Sequence, residues 1–160
     1  MPRIAVTGHL NLSPESLPAI KKAISRLLAT HAAGELTGIS CLARGADSVF
    51  AEEVLDRGGR LEVVLPSADY RASKVDADYA PQFDSLISRA AGVHVLPISH
   101  ADRHAYDAAN RMMLDSCDEL FAVWDGLPGV DQGSTASVVA EARRRGIPVH
   151  VIWPDEATRR

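Results

Sequence analysis

Short apolar runs alternate with helix-like segments along the whole chain of 160 residues. The runs predict strands at residues 4–7, 36–42, 61–65, 93–98, 120–124 and 148–153. Helical spacing predicts helices at 47–57, 83–91 and 134–145, with others from Pro14 onward and up to about Cys117. A strand–helix–strand repeat needs parallel, right-handed crossovers. We therefore predict an α/β fold with a Rossmann-like, doubly wound, mostly parallel sheet in a three-layer α/β/α sandwich.

Two parts of this pattern leave the element bounds open. The polar stretch 67–81 is typical of a long loop with one helical turn. The helix ending near Cys117 has two candidate starts: Ser99 would leave Asn110 and Arg111 on the surface, whereas Asp107 would put both in the first turn, facing the ligand crevice. We expect residues 1–154 to form a single domain and residues 155–160 to form a frayed tail.

The charge balance argues against nucleic acid as the main partner. The net charge is −4, and the basic residues are scattered apart from the run at 143–145, which lies late in a predicted helix. A duplex-DNA binder normally carries a basic stripe, because neutralising phosphates supplies most of its affinity. We therefore expect nucleic acid to be an unlikely partner.

The termini and the cysteines suggest a location inside the cell. The first three residues lead straight into a strand, so no signal peptide is apparent, and no apolar run approaches the roughly 18 residues of a membrane span. Cys41 and Cys117 lie in apolar contexts without a CxxC motif, which favours buried, reduced thiols. We predict a cytoplasmic protein with no membrane partner.

The stretch from residue 121 to residue 135 carries the strongest functional signal. An apolar strand ends at Asp125-Gly126, a turn-rich loop follows, and Gly133, Ser134 and Thr135 open a helix. A helix start presents unpaired N–H groups and the positive end of a dipole, so it can hold a phosphate, and a glycine lets the backbone approach it closely. The alternative is that Ser134 or Thr135 is an ordinary N-cap.

Other polar turns follow the remaining strands, and ligands in such sheets bind outside the carboxyl ends of the strands. Arg44 could hold a phosphate bidentately or be an exposed loop arginine, and Asp47 could cap a helix. Gly8 could be a plain turn glycine, and His9 an exposed loop residue. The predicted ligand-binding set comprises Gly8, His9, Arg44, Gly45, Asp47, Asn110, Arg111, Asp125, Gly126, Gly133, Ser134 and Thr135.

Neither a cofactor nor a metal is predicted. The glycines after the first strand do not form GxGxxG, so the dinucleotide fingerprint is absent. His100 and His104 have the i, i+4 spacing of a metal pair, but no third ligand accompanies them.

Four short motifs in this order resemble the SLOG superfamily: Thr7-Gly8-His9, the Ala-Arg-Gly-Ala-Asp segment at 43–47, the Asn-Arg-Met-Met-Leu segment at 110–114, and Gly133-Ser134-Thr135. That group includes the Lonely Guy phosphoribohydrolases, lysine-decarboxylase-like proteins, molybdenum cofactor carrier proteins and DNA-processing protein A. The segment at 43–47 looks most like the small stand-alone bacterial members called YAcAr. The resemblance covers nearly the whole chain and implies binding of a nucleotide-like small molecule and formation of homodimers.

One departure from the enzymatic members favours a binding function over an enzymatic one. Lonely Guy-type proteins carry a glutamate in the first turn of the last helix, where this chain has Val138. We therefore expect a protein that binds a nucleotide or a phosphoribosyl-containing small molecule, with Asp125 taking a ribose hydroxyl. The alternative is an N-glycosidic bond hydrolase, for which Asp125 is a weak catalytic candidate.

Two further expectations concern helix surfaces. The helix that carries Met112, Met113 and Leu114 has apolar residues on more than one face, which favours self-association. Glu141 lies seven residues after Ser134, roughly 10 Å along the axis at 1.5 Å per residue, too far to reach a ligand at the helix start. It has the right spacing to pair with the arginines three and four residues beyond it.

Overall fold

The computed structural model of the chain describes residues 2–32, 34–128 and 134–159. These residues contain a six-stranded sheet in which every neighbouring pair of strands is parallel. The strands are β1 (Arg3–Gly8), β2 (Thr37–Ser40), β3 (Arg60–Leu65), β4 (Gly92–Val95), β5 (Glu119–Val123) and β6 (Val149–Ile152). Their spatial order is β4-β3-β2-β1-β5-β6. The predicted fold class is confirmed.

Helices cover both faces of the sheet. They are α1 (Leu17–Leu28), α2 (Ala46–Asp56), α3 (Tyr70–Lys74), α4 (Ala80–Arg89), α5 (Arg103–Ser116) and α6 (Thr135–Arg144), and a 3-10 helix (Pro14–Ser16) precedes α1. Side chains alternate along β1, so Ile4 and Val6 pack with α1 and α2 on one face, whereas Ala5 packs with α5 and α6 on the other. None of the described helices is long and apolar enough to cross a bilayer.

The strand order reverses between β1 and β5. The chain moves outward from β1 to β4 on one side and then returns to place β5 and β6 on the other. Loops leaving the carboxyl ends of β1 and β5 diverge at such a point and leave a crevice, where ligands of open α/β sheets bind.

The segment before β5 differs from both predicted versions. The helix α5 begins at Arg103, because the side chain of Asp102 caps it by accepting a hydrogen bond from the Ala105 N–H at 2.9 Å. Neither Ser99 nor Asp107 is the start, and His100 lies outside the helix. The polar stretch before α4 holds α3, a five-residue helix of little more than one turn, in agreement with the predicted loop with one helical turn.

The expectation of a frayed tail is wrong for residues 155–159. Ala157 is buried in the cluster formed by β1, α1 and α2. The Thr158 N–H donates to the Ser16 hydroxyl at 2.7 Å, and its carbonyl accepts from the Ser13 N–H at 2.9 Å. Arg159 forms an antiparallel bridge with Leu12. Polar side chains near the start of α1 supply these partners, and no periodic pattern in the tail announces them.

The reason given for self-association does not hold. Met113 and Leu114 are buried within the chain, and Met112 packs against the same cluster, between α5, α6 and the sheet. The apolar faces of α5 are therefore used by contacts inside the chain.

Candidate ligand-binding cleft

A cleft of about 540 Å³ lies at the carboxyl ends of β1 and β2. The helices α3 and α5 and the first turn of α6 form its other walls. Small-molecule sites commonly occupy about 300–1,000 Å³. The lining residues include Thr7, Gly8, Leu10, Cys41, Ala43, Arg44, Asp47, Tyr70, Lys74, Asp76, Arg103, Tyr106, Asn110, Met113 and Thr135.

Gly8 lines the cleft and also lets α2 approach the sheet. A Cβ atom added at Gly8 would lie 2.5 Å from the Cβ of Ala46 and 3.1 Å from the Cβ of Val123. The first distance is shorter than a carbon–carbon contact allows, and the second is tighter than an ordinary one. The glycine is therefore required by packing, whether or not a ligand is bound.

The loop after β2 is held in an unusual backbone conformation. Leu42 has a φ of 56°, a value that a bulky residue rarely adopts, and it is fully buried. Its N–H donates to the Ser40 hydroxyl at 3.0 Å, and its carbonyl accepts from the Tyr79 hydroxyl at 2.8 Å. Gly45, at φ 103°, then caps α2. These contacts fix the direction in which Arg44 and Asp47 leave the loop.

Three cationic side chains line the cleft: Arg44 from the β2 loop, Lys74 at the end of α3 and Arg103 at the start of α5. The Arg44 guanidinium is 58% exposed and donates to Asp78 at 2.7 Å. This pair is solvated, so it contributes little to stability, and the guanidinium can exchange partners at little cost. Among the described residues, three cations and two carboxylates, Asp47 and Asp76, line the cleft.

Asp47 is the buried acid of the cleft. The residue is only 8% exposed, and its Oδ2 accepts a hydrogen bond from the Ala43 N–H at 3.3 Å. Burial raises the pKa of this carboxyl to about 7, although the Ala43 N–H acts in the opposite direction. Burial and the nearby Asp47 in turn raise the pKa of Cys41 and of Tyr70. Asp47 therefore changes charge near neutral pH.

The loop after β5 is engaged away from the cleft. The Asp125 N–H donates to Nε2 of His9 at 3.2 Å, and its carboxylate accepts from the Leu127 N–H at 3.0 Å and from Arg159 at 3.1 Å. Burial and Arg159 lower the pKa of His9, and the Asp125 carboxylate, 3.2 Å from Nε2, acts in the opposite direction. Asp125 thus ties the tail to the sheet. Asp125, His9 and Gly126 do not line the cleft. The position of Asp125 therefore gives no support to the hypothesis that it takes a ribose hydroxyl.

The first turn of α6 reaches the cleft through Thr135, which is buried. Ser134 is the N-cap, and its hydroxyl accepts from the Ser137 N–H at 3.3 Å, as the alternative interpretation had it. Val138, where Lonely Guy-type proteins carry a glutamate, is 4% exposed and packs in the core. Gly133 lies outside the described residues.

The remaining predicted residues fall into different places. Asn110 lines the cleft from the middle of α5, whereas Arg111 lines a neighbouring cavity of about 230 Å³. Gly45 caps α2 without lining the cleft. Glu141 pairs with Arg144 and Arg145 at 2.6–2.9 Å, as its spacing predicted.

Sequence reasoning missed the residues contributed by α3 and by the first turn of α5. Tyr70 and Lys74 belong to the segment predicted as a loop with one helical turn. Arg103 and Tyr106 lie at the start of α5, which the sequence did not place at Asp102. The sequence did carry a signal for this start, because aspartate is a preferred N-cap residue and its side chain accepts a hydrogen bond from the N–H three residues later.

Solved structures with the same fold bind different ligands. No protein-family model matches the chain, and no curated protein matches it in sequence. DNA processing protein A from Streptococcus pneumoniae aligns over 97% of this chain with a TM-score of 0.69 and 22% identity. The Helicobacter pylori protein of that name, which binds single-stranded DNA, aligns over 96% of this chain with a TM-score of 0.69 and 16% identity. The molybdenum cofactor binding protein from Rippkaea orientalis aligns over 96% of this chain with a TM-score of 0.60 and 20% identity.

The matched lengths differ between these proteins. The chain spans 51% of the Streptococcus pneumoniae protein, 66% of the Helicobacter pylori protein and 77% of the Rippkaea orientalis protein.

The expectation that nucleic acid is an unlikely partner has to be corrected. It rested on net charge, yet a protein of the same fold binds single-stranded DNA. Net charge sums over the whole surface, whereas a single strand responds to the charges along one groove. The local arrangement of Arg44, Lys74 and Arg103 is the relevant quantity, and a total of −4 does not describe it.

The resemblance to the SLOG superfamily is confirmed at the level of the fold, which this chain shares with DNA processing protein A and with molybdenum cofactor binding proteins.

Proposed function

We propose that the cleft binds a nucleotide or another phosphoribosyl-containing small molecule. The observation that carries the proposal is the meeting of Gly8, Arg44 and Thr135 in one cleft of suitable volume. Thr135 belongs to the first turn of a ten-residue helix, whose N–H groups and dipole attract phosphate. Gly8 lines the same cleft with its backbone, and Arg44 supplies a guanidinium that can hold phosphate oxygens.

The aromatic and apolar walls suit the rest of such a ligand. Tyr70 and Tyr106 line the cleft together with Met113 and the exposed Leu10. Flat rings and a polarisable sulfur favour contact with a planar heterocycle. The cleft thus combines a cationic rim with aromatic walls, which is the combination that a nucleotide needs.

Single-stranded nucleic acid is the second candidate. The same cations and tyrosines could follow a sugar–phosphate backbone and stack its bases, and the Helicobacter pylori protein with this fold binds single-stranded DNA. The hydrolase alternative is not proposed. Val138 is part of the core, and the Asp125 carboxylate is engaged by Leu127 and Arg159.

Calorimetry with nucleoside monophosphates, the corresponding nucleosides and short DNA strands tests the proposal. Arg44→Gln is compared with Arg71→Gln, because the two arginines are 58% and 55% exposed and each has one exposed carboxylate partner, Asp78 and Asp84. Only Arg44 lines the cleft.

We expect monophosphates to bind, nucleosides to bind more weakly, and Arg44→Gln to weaken binding about tenfold, as loss of a charge-assisted hydrogen bond implies. Arg71→Gln should leave binding unchanged. Equal effects of the two variants would contradict the proposed site. Affinity that appears only with strands of several nucleotides would favour the second candidate.

A further inference from the structure

The floor of the cleft carries an acceptor that the chain itself does not satisfy. Oδ2 of Asp47 accepts one hydrogen bond, from the Ala43 N–H, and among the described residues no donor reaches Oδ1. The hydroxyl of Tyr70, also buried and also lining the cleft, has no described hydrogen-bond partner either. Neither atom is sealed from solvent. Both polar groups are therefore available to something that enters the cleft.

A buried carboxylate needs donors. Each of its two oxygens can accept two hydrogen bonds, and leaving a buried charge without partners is costly. The cations of the cleft do not meet this need, since Arg44 is largely exposed while Asp47 is 8% exposed. The three cations and Asp76 thus lie toward solvent, whereas Asp47 is the buried charge of the cleft.

This division orients a nucleotide. Its phosphate is attracted to the exposed cations and to the N–H groups at the start of α6 and is repelled by Asp47, so the opposite end of the ligand must face Asp47. Tyr70 and Tyr106 line the same cleft with rings on which a planar base can stack. The base is therefore the part of the ligand that meets the carboxylate.

We infer that Asp47 recognises a base with two adjacent N–H donors, and that the ligand is a guanine nucleotide. Guanine offers a ring N–H beside an exocyclic NH₂, which fits a carboxylate with two bonds. Adenine places an acceptor nitrogen beside its NH₂, and hypoxanthine lacks the NH₂. This inference rests on the proposed function, because it assumes that the phosphate lies at the cations and the start of α6.

The test compares GMP, IMP and AMP by calorimetry at pH 8, using the full chain and two variants. Asp47→Asn keeps the size and shape of the side chain but replaces one acceptor by a donor. Asp76→Asn makes the same change of charge at an exposed residue that also lines the cleft. Melting curves confirm that each variant is folded.

We expect the order GMP, IMP, AMP, with GMP at least tenfold tighter than AMP. Asp47→Asn should remove this preference, whereas Asp76→Asn should keep it. Equal affinity for the three nucleotides, or a preference unchanged in Asp47→Asn, would overturn the inference. If binding remained sensitive to Arg44→Gln in that case, the proposed function would stand. An absence of binding to all three would overturn both.

Discussion

Replacing Asp47 by asparagine should stabilise the unliganded protein at alkaline pH. The pKa of this carboxyl is about 7 in the folded chain, against an ordinary value of 3.8, because burial disfavours the charged form. Ionised Asp47 therefore opposes folding. The protonated form stabilises the folded chain. This contribution to the free energy of unfolding is fully present below pH 4, falls as the pH rises toward 7, and is lost above that.

The magnitude follows from the two pKa values. Their difference corresponds to about 4 kcal/mol in the free energy of unfolding, an upper limit because the start of α2 favours a negative charge by about 0.3–1 kcal/mol. Asparagine carries no charge, and its side-chain oxygen can still accept the hydrogen bond from the Ala43 N–H. Asp47→Asn should thus gain about 2–4 kcal/mol over the native chain at pH 8 and almost nothing at pH 4.

Urea denaturation of both proteins across this pH range measures the difference. Asp76→Asn is the control, because it removes a carboxylate of the same cleft from an exposed residue and should change stability by less than about 0.5 kcal/mol. A native chain that is as stable as Asp47→Asn at pH 8 would refute the reasoning, since it would mean that the ionised carboxylate is satisfied within the fold.

The remaining predictions concern packing and the surface. Gly8→Ala should lower stability by about 1–3 kcal/mol, because the new Cβ would lie 2.5 Å from that of Ala46. Adding Ala46→Gly to the same chain should recover part of the loss. An unchanged melting temperature for Gly8→Ala would contradict the close approach of α2 to the sheet. Glu141→Gln should leave nucleotide affinity unchanged and shift stability only slightly, since solvated ion pairs contribute little. The pKa of Glu141 is about 2, which confines the loss of its ion pairs to strongly acidic pH; a large loss of affinity in the variant would show that the ligand lies elsewhere. A chain ending at Glu156 should lose about 2–4 kcal/mol, because it forfeits a buried alanine and the hydrogen bonds to Ser13 and Ser16; urea midpoints equal to those of the full chain would mean that the tail does not dock.

The sheet could be predicted from sequence because each strand is a local apolar run with a turn at its end. The site was harder, because its residues are brought together by tertiary packing. Gly8, Arg44, Asp47, Asn110 and Thr135 were selected from turns after strands, and all five line the cleft.

The errors have particular physical causes. The contact of Asp125 with Arg159 was not foreseen, because a contact spanning 34 residues has no local signature. The start of α5 was misplaced because Asp102 competes with two other plausible caps, and with it Arg103 and Tyr106 were lost from the predicted site. The prediction about nucleic acid was wrong because net charge sums over the whole surface, whereas a bound strand responds to the charges along one groove.

An amide chemical-shift titration locates the nucleotide and its phosphate within the cleft. The uniformly ¹⁵N-labelled chain is titrated with GMP and, in parallel, with guanosine, which lacks the phosphate. We expect GMP to shift the amides of Gly8, Arg44, Asp47 and Thr135 together, and guanosine to leave Thr135 and Gly8 much less affected. Shifts confined to the loop after β5 and the tail, or the same shifts with guanosine as with GMP, would contradict a phosphate site at the start of α6.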